Sequence, residues 1–189
     1  MKIFEKNTHE TFGYLLIHSV FLKDGRIRKG KIIDKDDISL MKRSGIEKVY
    51  VGEFEEDDIS ENSASSLIAK AIATNQFSIS PTLSGKTNIT STSDGLIEIY
   101  EDNVKSLNNL SPNIAVSTLN NHDVIYRGDH IVSIKIISYS ISSSDLDKII
   151  KFLKKNKIIK PKKFKSMRFG VIYTTAKNEK ISLIEKAKK

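Results

Sequence analysis

Residues 12–51, FGYLLIHSVFLKDGRIRKGKIIDKDDISLMKRSGIEKVYV, contain start and stop signals for several consecutive elements of secondary structure. The apolar, β-branched run Gly13–Leu22 predicts a strand. Asp24-Gly25 predicts a tight turn, because glycine adopts positive φ without a Cβ clash. Arg26–Ile33 predicts a returning strand, which Gly30 would bend. The first half of this stretch therefore predicts two strands joined by a short turn.

The second half of the stretch predicts a capped helix followed by another strand. Asp34 is placed to accept hydrogen bonds from the exposed amides of a first helical turn. Gly45 ends that helix in the left-handed conformation, and Glu47–Val51 is extended again. The residues expected on the buried face of the helix are Ile38 and Met41, with Leu40 at its margin.

The rest of the chain mixes short strands with short helices, which predicts an α+β fold for the body. A helix is expected over residues 60–75, and a second one begins at the capping-box-like Ser142. The hydrophobic stripe expected on the first helix comprises Ala64, Leu67, Ile68, Ala71 and Ile72. We also expect Asp102 to cap a short helix. The predicted strands are Phe77–Ser80, a hairpin of Thr87–Thr92 with Leu96–Tyr100, Ile114–Leu119 and Ile131–Tyr139.

Composition indicates a globular protein, with 39% hydrophobic and 29% charged residues. The chain has no cysteine, which excludes disulfides, thiolate metal ligands and thiol catalysis. No apolar run reaches the roughly 18 residues of a membrane span, and the amino terminus has no secretory-signal pattern. A cytoplasmic protein without membrane contact is the simplest expectation.

Positive charge is concentrated at the carboxyl end of the chain. Residues 148–189 hold 15 Lys and Arg but two acidic residues, within a net charge of +8 for the whole chain. The lysine-rich segment Lys154–Lys165 is expected to be a solvated linker, and Pro161 to interrupt regular structure there. Its alternative role is that of a docking surface for nucleic acid or another polyanion.

Three patterns have both a structural and a functional interpretation. The acidic run Glu53–Asp58 suits a helix N-terminus or a hard cation. Ser84-Gly85-Lys86-Thr87 resembles the end of a phosphate loop, but Ser80 stands where such a loop needs glycine. The pairs His122-Asp123 and Asp129-His130 suit turns or zinc. The structural interpretation is favoured for each, so we predict no metal site and identify no catalytic residue.

Histidine 18 lies inside an apolar run of the sequence. We therefore expect His18 to be a buried or half-buried histidine of a strand, rather than a catalytic or ligand-binding group.

Three runs near the amino terminus, GYLLIHSV, DGRIRKGKIID and DDISLMKRSGIEKVYV, follow the pattern H-S … G-R-x-x-K-G … D-I … G-I-x-x-V. This pattern resembles the N-terminal part of molybdopterin-binding proteins related to the molybdopterin molybdotransferases. The runs GKTNITSTSDGLIEIYEDNVKSLN and HDVIYRGDHIVSIKIISYSI are similar to later parts of that family. SMRFGVIYTTAKN resembles the first strand and turn of its pterin-binding α/β domain.

The resemblance implies a role in the biosynthesis or binding of the molybdenum cofactor, with molybdopterin or its nucleotide form as ligand. The implied first strand of the pterin-binding domain is Arg168–Tyr173, and Thr174 and Thr175 would lie in the loop after it. Arg26 and Lys29 are the ligand-binding residues expected in the body of the protein. A homo-oligomer is also compatible with this interpretation, whereas nucleic acid is the less favoured partner.

Several family features do not occur in this sequence. Thr175 stands where the family has glycine, and the D-N-S-A-M-D-G run of the molybdotransferases and the later Gly-rich loop are absent. We therefore expect an α+β N-terminal domain at 1–153, a basic linker at 154–166, and an incomplete α/β domain at 167–189. On this interpretation the chain is a fragment of a longer molybdotransferase-like or cytidylyltransferase-linked protein. By itself it would be inactive and would not hold molybdopterin tightly.

Overall fold

The fold consists of small antiparallel sheets and short helices, which confirms the predicted α+β class. A computed structural model describes residues 1–23, 25–170 and 172. Within this part of the chain there are four α-helices, and all strand pairs are antiparallel. None of the helices in the described ranges is long and apolar enough to cross a membrane.

The amino-terminal region, residues 1–53, contains a three-stranded sheet, a small hairpin and one α-helix. The sheet has the strand order β1-β5-β2, and β3 pairs with β4. The elements are β1 (Lys2–Asn7), a 3₁₀ helix (Thr8–Glu10), β2 (Leu15–Leu16), β3 (Val20–Leu22), β4 (Gly25–Ile27), α1 (Lys35–Arg43) and β5 (Lys48–Glu53). They enclose a hydrophobic cluster of Leu16, Ile27, Ile33, Met41, Val49 and Val51.

The second region, residues 58–163, has a separate and larger core. Its sheets have the orders β10-β12-β8-β7, β11-β9-β14 and β13-β6. The strands are β6 (Asp58–Ser60), β7 (Phe77–Ile79), β8 (Lys86–Ser91), β9 (Gly95–Ile99), β10 (Ile114–Thr118), β11 (Val124–Ile125), β12 (His130–Ile136), β13 (Ser140–Ser142) and β14 (Ile159–Lys163). The helices are α2 (Glu61–Ile72), α3 (Glu101–Asn108) and α4 (Ser143–Lys155).

The predicted strand Gly13–Leu22 is divided into β2 and β3, which belong to different sheets. The division has a physical cause in the hydrogen bonds of the residues between them. The carbonyl of Ile17 accepts from the Tyr139 hydroxyl at 2.6 Å, and the Ser19 hydroxyl accepts from the Lys29 amide at 3.1 Å. The chain therefore leaves the sheet with β5 and turns into the hairpin with β4.

The predicted strand Arg26–Ile33 is also shorter than expected. It ends at Ile27 as β4, and Gly30 has a φ of +81°, so the bend predicted there is present. Ile32 makes a single antiparallel bridge with Leu15. The turn between β3 and β4 contains Asp24, which lies outside the described residues.

The hairpin predicted from Thr87–Thr92 and Leu96–Tyr100 is wrong, although both strands exist. β8 pairs with β7 and β12, whereas β9 pairs with β11 and β14. The backbone of Ser91 explains the divergence, because its amide donates to Asp129 and its carbonyl accepts from Gly128. These bonds occupy the groups with which Ser91 would have paired with β9.

Two helix details also differ from the prediction. On α2 the buried residues include Ser65 and Ala69, while Leu67 is exposed. The Ser65 hydroxyl bonds the Thr87 hydroxyl of β8 at 2.9 Å, which turns that face of the helix toward the sheet. Asp102 does not cap α3: the helix begins after Tyr100, without a side-chain cap, so Asp102 lies in its first turn.

The segment 154–166, expected to be a linker, contains the strand β14 paired with β9. Ile158 and Ile159 are buried, and burial of this apolar pair ties the segment to the core. Pro161 is compatible with the strand because β14 lies at the edge of its sheet. The division of the chain into domains stays a prediction.

The predicted strand Arg168–Tyr173 is only partly described. Residues 168–170 and 172 belong to no regular element. The other residues of that strand, and the rest of the α/β domain expected after it, lie outside the described residues.

The end of α1 provides a test of backbone conformation. Gly45 has a φ of +75°, and its amide and that of Ile46 bond the carbonyls of Lys42 and Met41, each at 3.0 Å. A Cβ at Gly45 would meet no atom within 4 Å, so substitution there costs backbone strain alone.

We predict that Gly45→Val lowers the free energy of unfolding by about 1–2 kcal/mol, measured by urea denaturation. Gly45→Asn is the control, because asparagine tolerates the left-handed conformation better. Equal losses in the two variants would contradict a strain-based ending of α1.

The pairing of β14 with β9 can be tested at Gly95. A Cβ there would overlap the carbonyl oxygen of Lys162, so the backbone of β14 would have to move. We predict that Gly95→Ala costs about 1–3 kcal/mol and speeds amide hydrogen exchange in β14. Gly170→Ala is the control, because a Cβ there meets nothing within 4 Å. Unchanged exchange in Gly95→Ala would mean that residues 159–163 are not held as a strand.

Candidate functional site: a basic groove beside the first helix

A groove of about 590 Å³ lies between the β3–β4 hairpin and α1. We call it the basic groove. It is lined by Leu22, Arg26, Ile27, Arg28, Lys29, Gly30, Lys31, Asp37 and Leu40. Both ligand-binding residues predicted in the body of the protein, Arg26 and Lys29, are therefore brought together at one concave surface.

The alternation along β4 and into the residue after it explains why the cationic side chains stay at the surface. Ile27 is buried in the cluster of the amino-terminal region, whereas Arg26 and Arg28 on either side of it are exposed. This is the period-two pattern of a half-buried strand. Leu22 and Leu40 add further apolar surface from the hairpin and from α1.

The loop that carries the basic residues is held by hydrogen bonds on its inner side. The Lys29 amide donates to the Ser19 hydroxyl at 3.1 Å. The Gly30 amide donates to the Leu16 carbonyl at 2.7 Å, and the Leu16 amide donates to the Lys31 carbonyl at 2.9 Å. The positions of the backbone at Lys29 to Lys31 are thereby fixed relative to β2.

The predicted N-cap of α1 is present and forms a capping box. The Asp37 amide donates to the Asp34 carboxylate at 2.9 Å, and the Asp34 amide donates to the Asp37 carboxylate at 3.1 Å. Asp37 is buried, with 3% of its surface exposed. Its carboxylate is therefore a fixed negative charge at the groove wall.

Lys31 neutralises this negative charge. Its ammonium lies 2.7 Å from the Asp37 carboxylate and 3.0 Å from that of Asp34. Hydrogen bonds to Asp37 and then Asp34 raise the pKa of Lys31. The Asp37 amide, followed by the Lys31 ammonium, lowers the pKa of Asp34. Lys31 is thus engaged within the protein.

The remaining cations of the groove differ from Lys31 in their ion pairing. Arg26, Arg28 and Lys29 are exposed and make no ion pair with a carboxylate in residues 1–23, 25–170 and 172. An adjoining depression includes Lys23 and Arg43, which extends the basic surface. Guanidinium and ammonium groups beside apolar side chains suit an anionic ligand that also has an apolar part.

The predicted site residues Thr174 and Thr175 lie outside the described residues. The structure adds Arg28 to the predicted pair Arg26 and Lys29. The signal for Arg28 was present in the sequence, because the run RIRK places a cation on both sides of one buried isoleucine.

The run Ser84-Gly85-Lys86-Thr87, which resembles the end of a phosphate loop in sequence, forms a turn followed by a strand. Ser84 and Gly85 form a turn of positive φ that leads into the strand β8, so the sequence there does not form a phosphate loop before a helix. In the described part of the chain no three potential ligands cluster as a metal site would require.

His18 differs from our expectation, because its side chain is exposed. Its ring packs edge-on against Tyr50 at a centroid distance of 5.9 Å. The interruption of the strand at residues 17–19 explains the exposure.

A match to a known protein family covers the part of the chain that holds the groove. A family model described as a domain of unknown function, DUF8806, matches residues 5–53. No curated protein and no solved structure matches this chain.

We predict that Asp34→Ala destabilises the protein by removing the side-chain acceptor of the capping box. Asp34→Asn is the control, because asparagine retains an acceptor and should lose less stability. The pKa of Asp34 is lower in the folded than in the unfolded chain. Its carboxylate therefore adds stability above the unfolded pKa of about 4 and loses that effect as the pH falls through the folded pKa.

Chemical denaturation of the wild type and of Asp34→Asn at neutral pH and at pH 3 checks both parts of this prediction. The variant should lose less stability than the wild type on acidification, because position 34 no longer titrates. Identical pH profiles, or equal losses in the Ala and Asn variants, would contradict the assigned cap.

Proposed function

We propose that this chain binds an anionic, phosphorylated ligand in the basic groove. The single observation that carries this proposal is the convergence of Arg26, Arg28 and Lys29 on one concave surface, without a carboxylate partner among the described residues. The volume of the groove falls within the roughly 300–1,000 Å³ typical of small-molecule sites.

We further propose that the ligand is molybdopterin or its nucleotide form, and that the protein acts in the biosynthesis or handling of the molybdenum cofactor. The resemblance of residues 12–51 to molybdopterin-binding proteins supports this choice. Molybdopterin combines a phosphate with a planar pterin. The phosphate would bind the guanidinium and ammonium groups, while Leu22 and Leu40 offer apolar surface to the remainder.

Binding by this chain alone should be weak and sensitive to salt. The three cations are exposed, so their attraction for an anion is screened by mobile ions over about 10 Å at 0.1 M salt. Each exposed ion pair contributes about 1 kcal/mol or less. The groove therefore supplies attraction and an approximate position for the phosphate, rather than a closed site.

We predict that replacing Arg26, Arg28 and Lys29 together by glutamine weakens binding by roughly 5- to 150-fold, since three exposed pairs together supply roughly 1–3 kcal/mol. The measurement is a calorimetric titration at low salt with molybdopterin and, separately, with inorganic pyrophosphate. Raised salt should reduce the difference between the wild type and the variant.

The matched control replaces Lys151, Lys154 and Lys155 by glutamine. These three lysines are exposed on α4, so the change of net charge is the same. Equal weakening by both triple variants would contradict the groove as the site. Binding of pyrophosphate without binding of molybdopterin would retain an anion site but contradict the proposed ligand.

A second candidate function is docking of the basic end of the chain on nucleic acid or another polyanion. The exposed lysines Lys151, Lys154, Lys155 and Lys157 along α4 and just after it favour this alternative. Part of the charge on β14 is already compensated, because Lys162 and Lys160 lie 3.0 Å and 4.0 Å from Glu98.

Retention on heparin distinguishes the two functions. Retention that is lost in the α4 triple variant and kept in the groove triple variant would favour polyanion docking. The opposite result would favour the groove as the main anion-binding surface.

A further inference from the structure

We propose that Tyr139, which lies in the second region of the chain, is a positioning residue of the basic groove. This inference rests on the function proposed for the groove. Tyr139 does not act as a charge partner of the cations in the groove. It contacts the backbone that holds them, from a position more than one hundred residues away in the sequence.

Tyr139 is itself fixed at both ends. Its backbone carbonyl accepts from the amide of Glu61, the first residue of α2, at 2.9 Å. Its hydroxyl donates to the Ile17 carbonyl at 2.6 Å. Burial, and then the nearby Glu61 carboxylate, raise the pKa of Tyr139, so the hydroxyl keeps its proton and remains a donor at neutral pH.

The residues on both sides of Ile17 connect the Tyr139 hydrogen bond to the groove. Ile17 begins the turn that carries Ser19, and the Ser19 hydroxyl accepts from the Lys29 amide. Leu16, on the other side of Ile17, accepts from the Gly30 amide. The Tyr139 hydroxyl therefore binds the same segment, residues 16–19, to which the backbone of Lys29 and Gly30 is hydrogen-bonded.

The ring of Tyr139 also lies directly behind the loop. A Cβ at Gly30 would be 3.7 Å from Cε1 of Tyr139 and 3.9 Å from the Glu61 carboxylate. The ring thus limits how far the loop can move away from the hairpin. Together, the hydrogen bond and the ring contact define where Arg28 and Lys29 stand relative to α1.

The test compares Tyr139→Phe, which keeps the ring and removes the hydroxyl, with Tyr126→Phe as a control on an exposed tyrosine. The first readout is amide hydrogen exchange at Lys29 and Gly30, with Val132 and Ile134 of β12 as internal references for global stability. We expect exchange at Lys29 and Gly30 to accelerate by roughly two- to tenfold in Tyr139→Phe, with the reference amides changing less. Unchanged exchange at the two loop amides would overturn the proposal.

The second readout is the affinity for inorganic pyrophosphate. Tyr139→Phe should weaken binding by roughly two- to tenfold while leaving the dependence of affinity on salt unchanged, because the number of cations is the same. Failure of the wild type to bind would contradict the proposed function, and the exchange measurement would still decide the role of Tyr139. Wild-type affinity in a Tyr139→Phe variant with accelerated loop exchange would overturn the link between the loop and the groove.

Discussion

The ion pair between Lys31 and Asp37 is the interaction on which the groove depends. A buried carboxylate is costly unless it is paired and hydrogen-bonded, and Asp37 is satisfied by the Lys31 ammonium and the Asp34 amide. These contacts fix the segment between β4 and α1 and place the first turn of the helix. They also decide which charges are available to a ligand, because Lys31 is paired with Asp37 and Asp34, whereas Arg26, Arg28 and Lys29 have no carboxylate partner among the described residues.

Features that depend on a few neighbouring residues could be predicted from the sequence. Asp34 and Ser142 cap α1 and α4 as expected, and Gly45 adopts the left-handed conformation after α1. Each of these is decided by hydrogen bonds within about four residues along the chain, so the residue type and its position suffice. The α+β class follows from the same local signals, because it requires only the kinds of element and their order.

Features that depend on distant partners could not be predicted in this way. β8 and β9 are adjacent in sequence, and the turn between them resembles a hairpin turn, yet the groups around Ser91 pair with Gly128 and Asp129 instead. The buried face of α2 is set by a hydroxyl contact between Ser65 and Thr87. The lysine-rich segment contains a strand because Ile158 and Ile159 find a place in the core, which charge composition does not reveal.

The candidate site shows the same division between local and distant determinants. Its cations and most hydrogen bonds of its loop lie within residues 5–53, the segment matched by the family model. The second region adds Tyr139 behind the loop, and with it the Glu61 carboxylate close to Gly30. A free carboxylate there would weaken the attraction of the groove for an anion, but Glu61 is paired with Lys135 at 3.5 Å. The second region therefore supports the loop mechanically while presenting a neutral pair at its edge, so that the positive potential of the groove is retained.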